Sequence, residues 1–215
     1  MDCPEHCTPR DVDWIEAGHP LPTDQSVVTA RRALEVAAQV APDEVLLVLL
    51  SGGASALMAL PVDGVTLADK QATVHGLLRA GATIGELNTV RKHLSATKGG
   101  RLAAACPAPV VTLAISDVVG DDLSVIGSGP TMPDPSTFAD AMAVLDHRGG
   151  NGVYPASVVA WFDRGLRGGV PETLKPNDER LRQSVARIIG GRMTAVEGAA
   201  AAARSAPRSE EHTSE

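Results

Sequence analysis

Residues 44–56 read EVLLVLLSGGASA, and the fold follows from them. Glu44 to Leu50 is a short apolar run, preceded by Pro42 and closed by Gly52-Gly53. A run of this length and Val/Leu content reads as a strand buried on both faces, the kind found in parallel sheets. Ser51-Gly52-Gly53 then turns the chain into a short helix over Ala54–Ala59. Val110 to Ile115 (VVTLAI) is a second strand of the same type, ending at Ser116-Asp117. Leu123–Ile126 and Val185–Ile189 predict two more. Helical periods fill the intervals. Asp24 is placed to cap a helix to Val40, with Val27, Ala30, Leu34, Ala37 and Ala38 on one face. Thr66-Leu-Ala-Asp69 resembles a capping box and opens a helix to Ala80, where Gly81 stops it. Further helices are expected over Thr83–Leu94, Ser136–Asp146, Pro155–Leu166 and Met193–Arg204. This alternation predicts an α/β sandwich with a mostly parallel sheet.

Composition narrows the function classes. The 215 residues carry a formal net charge of −7, which argues against a sequence-blind nucleic-acid binder. An apolar fraction of 44% is that of a globular chain. Aromatics at 2% predict a core of Ala, Val and Leu. The longest apolar run, Val45–Leu50, is far shorter than a membrane span, and Met1–Arg10 has no signal-peptide h-region. Three cysteines make no disulfide framework, so a reducing cytoplasm is the expected compartment. Cys3, His6 and Cys7 are close enough to suggest a metal site, but no second pair of ligands lies nearby, and an exposed terminus is the plainer reading. Cys106 reads as a small core residue.

In a parallel sheet, ligands bind beyond the carboxyl ends of the strands. The first such end is Ser51-Gly52-Gly53-Ala54-Ser55, whose small residues allow backbone N–H groups to approach an anion. It is neither a Walker A loop nor a dinucleotide fingerprint, and the same pattern also serves a plain tight turn. The second end carries Asp117, with Asp121 and Asp122 beyond it. A carboxylate there can hold Mg²⁺, accept a proton from a hydroxyl, or simply cap a turn. Gly127-Ser128-Gly129-Pro130-Thr131 is a second small-residue loop suited to an anion nest. The densest basic cluster is Arg91-Lys92-His93, followed by Lys98-Gly99-Gly100-Arg101. It suggests a phosphate or carboxylate ligand, or a helix C-terminus favoured by cations. His19, His75 and His147 are scattered, and no Ser-His-Asp arrangement can be assembled.

Together these segments resemble the type II glycerate 2-kinases, the group with the MOFRL domain, whose members are often labelled hydroxypyruvate reductases. The resemblance is carried by AGHPLPTDQS, SGGASALMALPVDGVTLADK, LLRAGATIGELNTVRKHLSATKGGRLA and LAISDVVGDDLSVIGSGPTMPDPST, in order from Ala17 to Thr137. It is weaker through IIGGRMTAVEGAAAAAR. It implies a Rossmann-like α/β/α sandwich and an ATP- and Mg²⁺-dependent transfer of phosphoryl to the 2-hydroxyl of D-glycerate. The family's SGGGSAL loop falls on Ser51–Leu57, with Ala54 in place of its third glycine. The VRKHLS and KGG patterns fall on Val90–Ser95 and Lys98–Gly100, and SDVVGD on Ser116–Asp121. On this reading Asp117, Lys98 and Arg91 are catalytic, and Asp117 and Asp121 are metal ligands. Ser51, Gly52, Gly53, Ser55, Gly99, Gly100, Ser128, Gly129 and Thr131 bind substrate or phosphate. The expected partners are glycerate and ATP, with no nucleic acid and no membrane.

Two features depart from the family. Members carry a lysine-bearing segment before GHP and a Gly-rich MOFRL region after the Ala-rich helix. The expectation is therefore a partial N-terminal glycerate kinase domain over residues 1–207, incomplete in fold and inactive or nearly so by itself. Arg208–Glu215, RSEEHTSE, matches the translation of a common sequencing-library adapter and is read as no part of the natural fold. The competing readings are an NAD(P)H-dependent hydroxypyruvate reductase and a non-catalytic nucleotide or sugar-acid binding module. The first lacks a dinucleotide fingerprint; the second sits poorly with the acidic strand end.

Overall fold

The computed structural model describes residues 12–205; Cys3, His6, Cys7 and the Arg208–Glu215 tail lie outside them. Three strands, β1 (Leu46–Leu50), β2 (Val110–Ile115) and β3 (Ser184–Gly190), form a sheet in the order β1-β2-β3, every pair parallel. The α/β class and parallel pairing therefore agree with the sequence. Leu123–Ile126 is not a strand. Ser124 N donates to Asp122 Oδ1 and Val125 N to Asp122 O, which winds this segment into turns ahead of a 3₁₀ turn at Ile126–Ser128.

One face of the sheet is covered and the other is open. Leu46, Val48 and Val110 pack against α1 (Asp24–Gln39) and α5 (Arg101–Ala104), with Ala37, Leu102 and Ala103 in the seam. Thr23 rather than Asp24 is the N-cap of α1, and its backbone N–H is held by Ser26 Oγ at 2.9 Å. On the opposite face Leu47 is 55% exposed, Leu49 71% and Val185 62%. The expected burial of β1 on both faces is thus corrected. Among the described residues, helices cover only the side of Leu46 and Val48.

The larger core is helical. α3 (Leu67–Arg79), α4 (Ile84–His93), α6 (Phe138–His147) and α7 (Ala156–Leu166) pack around Leu77, Val90, Leu94, Leu145 and Val158. Four of the five aromatics, Phe138, Tyr154, Trp161 and Phe162, sit in this cluster. Most of this core is Ala, Val and Leu as expected, but the scarce aromatic residues have been concentrated in it. Phe138 meets Trp161 and Phe162 edge-on, an arrangement favoured by ring quadrupoles. The capping boxes of α3, α4 and α6, on Thr66/Asp69, Thr83/Glu86 and Thr137/Asp140, fix the start of each helix. Beyond the sheet, α2 (Ala54–Leu57) follows β1, and α8 (Arg192–Ser205) follows β3 with no buried residue.

Leu102→Ala removes a side chain closed into the α1/α5/sheet seam and should cost about 2–4 kcal/mol. Leu49→Ala on the open face should change stability by less than ~0.5 kcal/mol. Urea denaturation of the two variants checks the assignment of covered and open faces.

Candidate functional site

Two segments converge where β1 and β2 end. Gly53, at φ +83°, turns the chain from β1 into α2. Gly52 is pressed against Asp117, since a Cβ there would stand 2.3 Å from Asp117 Oδ2. A side chain at 52 would thus have to displace the Asp117 carboxylate. Ala54 takes the place of the family's third glycine without strain, because it is the first helical residue of α2 and packs beside Leu50, Ala114 and Ile126. Opposite, Gly127, Ser128 and Gly129 all hold φ near +60°. A serine there is strained, and strain of this kind is usually kept where a side chain must be aimed. Ser128 Oγ lies 3.0 Å from Ser55 Oγ and donates to Asn88 Oδ1 at 3.1 Å. Asn88 Nδ2 is buried with no hydrogen-bond partner among the described residues.

These groups line a cleft of about 410 Å³ bounded by Gly52, Gly53, Ser55, Asn88, Arg91, Asp117 and Ser128. A second cavity of about 460 Å³ adjoins it and shares Gly53, Ser55 and Arg91. It lies between α3 and the His19–Pro22 loop, with Lys70 and Lys98 among its lining residues. A larger concavity borders Pro107 and Gln183 beside the starts of β2 and β3. Ligands of parallel sheets bind at the opposite strand ends, so the first two cavities form the candidate site.

The basic cluster divides in two. Lys92 is buried and pairs with Asp134 at 3.4 Å. His93 bonds Thr89 O through Nδ1 and Glu172 through Nε2, and rests edge-on against Phe138. Both serve the fold. Arg91 reaches both cavities and has no ion pair among the described residues; burial lowers its pKa. Lys98, 1% exposed, donates through Nζ to Gly127 O at 3.0 Å. Burial, then the charges of Lys70 and Arg91, push its pKa well below the usual lysine value.

Several residues expected to contact ligand instead make bonds within the chain. Gly99 N donates to Ser128 O and Gly100 N to Gly129 O, while Cβ atoms at these positions would crowd Thr173 and Leu174. The two glycines join chain to chain, and their N–H groups are already taken. Gly129 N bonds Ile126 O inside its own turn. Thr131 is buried and bonded to Thr112 of β2 at 2.8 Å, so it ties the loop to the sheet instead of facing the cleft. Asp121, at φ 52°, lies near Gly191 beyond β3, whereas Asp117 lies against Gly52 beyond β1. Among the described residues no three His, Cys, Asp or Glu side chains gather to hold a metal. Mg²⁺ is commonly held by one or two carboxylates together with substrate phosphates, and Asp117 alone, exposed in the cleft, fits that pattern. Ser51 is exposed at the loop's start.

Lys70 is the residue that sequence reasoning missed. Its signal was nonetheless present, because Lys70, Thr73 and Leu77 recur at helical spacing and are the buried face of α3. A lysine on that face is 4% exposed, and its Nζ has no hydrogen-bond partner among the described residues. Burial, aided by Arg91, lowers its pKa to about 7. His19 is a second omission; its ring lies against Gly53 at the rim of the same cavity.

Comparison with known proteins agrees with this geometry. Residues 3–163 match the family described as a domain of unknown function, DUF4147. The chain belongs to this family. It is 47% identical over 166 residues to a glycerate 2-kinase of Pyrococcus horikoshii, covering 77% of this chain and 38% of that protein. It is 49% identical over 146 residues to a putative hydroxypyruvate reductase of Agrobacterium vitis, covering 67% and 33%. The solved structure of a Thermotoga maritima glycerate kinase superposes with a TM-score of 0.79 at 41% identity, over 92% of this chain and 45% of that one. The chain thus spans less than half the length of these relatives. Among its described residues, no helix is long and apolar enough to cross a membrane.

Lys70→Met should raise stability, because it removes a buried, unpaired ammonium. Between pH 7 and 10.5 the unfolded chain binds more protons at this residue than the folded one, so the parent gains stability as pH rises. The variant's advantage is therefore greatest at pH 7 and below and fades toward pH 10.5. Urea melts of both proteins across this range read it directly.

Proposed function

We propose that the chain carries part of the active site of a glycerate 2-kinase, which transfers the γ-phosphoryl group of ATP to the 2-hydroxyl of D-glycerate. The observation that carries this reading is the single cleft at the ends of β1 and β2. It brings Asp117, Arg91 and the Ser55–Ser128–Asn88 chain together on a scaffold shared with named glycerate kinases. Phosphoryl transfer asks chiefly for positioning and charge neutralisation. The residues are suited to both.

Among the described residues Asp117 is the one acidic residue lining the cleft, and it is exposed there. It accepts the proton of the glycerate hydroxyl, or holds Mg²⁺, which when bound would offset phosphate charge. Arg91 neutralises a carboxylate or phosphate oxygen. Lys98 is pinned to Gly127 O and so presents a cation fixed in position rather than a mobile tail. Ser55, Ser128 and the unpaired Asn88 amide supply neutral donors. The Ser51–Gly53 turn lets ligand oxygens come close to the backbone. ATP and Mg²⁺ enter as the cofactors of this reading, and glycerate as its substrate.

The experiment uses a chimera in which this chain replaces the matching 166-residue segment of the Pyrococcus glycerate 2-kinase. D-glycerate-dependent ADP release should be seen, with 2-phosphoglycerate as product by ³¹P NMR. Asp117→Asn should lower kcat about 10²- to 10⁴-fold. Unchanged turnover in that variant removes the role of Asp117. Hydroxypyruvate-dependent NADH oxidation without ATP use would instead establish the reductase reading.

A further inference from the structure

We propose that the cavity between α3 and the His19–Pro22 loop is a subsite for a phosphate group, with Lys70 as the residue that anchors it. Three lysine and arginine side chains, Lys70, Arg91 and Lys98, line this cavity, and no Asp or Glu among the described residues does. In a chain of net charge −7, such a pocket is an arrangement that burial alone does not produce. Among the buried lysines, Lys92 has Asp134 and Lys98 has Gly127 O. Lys70 is the one left with a buried Nζ and no hydrogen-bond partner among the described residues. A buried ammonium without a hydrogen bond is destabilising, and an anion drawn into the cavity would relieve it.

The charge count favours phosphate over carboxylate. Once Lys70 and Lys98 are protonated with a ligand in place, three cations with no acidic counterpart among the described residues exceed the single charge of a carboxylate. A phosphate ester brings close to two charges and three acceptor oxygens. Leu21, Ala59, Val74 and Leu78 make the remaining wall apolar, so the ligand carries an uncharged portion beside its phosphate. The volume, about 460 Å³, falls within the range of small-molecule sites. Because Gly53, Ser55 and Arg91 belong to both cavities, a phosphate held on Lys70 borders the cleft of Asp117. Two carriers fit this phosphate, a nucleoside triphosphate and a phosphorylated three-carbon acid. The choice of these two carriers rests on the kinase reading; the anion subsite does not.

Among the described residues, the titratable groups that line the cavity with Lys70 are His75 on its own helix, His19 from the loop, Arg91 from α4, and Lys98. Burial, then Arg91, brings Lys70 to a pKa of about 7, so at pH 8 it is mostly neutral in the empty cavity. Phosphate binding then draws a proton onto Nζ. At pH 6 the proton is already there.

The test is calorimetry of the 215-residue chain with ATP, 2-phosphoglycerate, inorganic phosphate and D-glycerate, the last as a carboxylate control. Each titration is run at pH 6 and pH 8 in two buffers of different ionisation enthalpy. ATP, 2-phosphoglycerate or both should bind, with uptake of about one proton at pH 8 that largely disappears at pH 6. Lys70→Met should weaken that binding about 10- to 100-fold and remove most of the uptake, while melting no lower than the parent. Which of the two ligands responds identifies the carrier. Equal phosphate-ligand affinity in Lys70→Met overturns the proposal, as does Lys70-dependent binding of D-glycerate alone, or no binding by any probe. If the chimera transfers no phosphoryl group while Lys70-dependent phosphate binding persists, the kinase reading falls and the subsite stands.

Discussion

The joint between Lys98-Gly99-Gly100 and the loop after β2 governs both the architecture and the site. Gly99 N, Gly100 N and Leu102 N donate to the carbonyls of Ser128, Gly129 and Pro130, and Lys98 Nζ donates to Gly127 O. Four donors from one short segment thus meet four successive carbonyls of another. Such a ladder requires left-handed backbone at Gly99, Gly100, Gly127 and Gly129, which glycine adopts at little cost. It fastens the end of α4, in the helical core, to the loop that follows β2, in the sheet. The same bonds place Ser128 against Ser55 and Asn88, and hold the ammonium of Lys98 inside the cavity wall.

A consequence of this joint is the separation of charges that are neighbours in sequence. α4 points Lys92 and His93 into a buried network with Asp134, Thr173 and Glu172, and leaves Arg91 facing the cavities. Asp134 is opposed by burial, yet Lys92, Ser136 and Thr173 together hold its carboxyl below the usual range. The buried carboxylate of Asp134 thus serves the scaffold, and the cavity beside α3 is lined, among the described residues, by cations with no carboxylate. An excess of buried positive charge is costly in the empty protein and favours an anionic ligand. Lys70 and Lys98, both depressed in pKa by burial, mark where that cost is held.

Much of the fold was legible because local chemistry and tertiary contacts agree. The β2 limits, the capping box of α3, and the helices on either side of Gly81 follow from residues that act locally. Leu123–Ile126 was misread as a strand because Asp122 captures the following N–H groups, an alternative to sheet pairing that composition does not display. In the site, the Ser51–Ser55 turn and Asp117 were located by the rule that ligands lie at strand ends. The pairing of the KGG glycines with Ser128 and Gly129 was not legible, because sequence shows that backbone must come close to something, without showing that the something is the chain itself. Lys70 escaped notice because an isolated lysine in a helix is usually solvated, and only the burial of its face distinguishes it.

The charge state of Lys70 Nζ is the most direct measure of whether this site is built for an anion, and ¹⁵N-detected NMR of the lysine side chains reports it. In the free chain Nζ should titrate near pH 7, far below an ordinary lysine. Saturation with the phosphate ligand should raise that midpoint by more than about one unit. A midpoint near 10.5 in the free chain, or one that does not move when ligand is added, would contradict it.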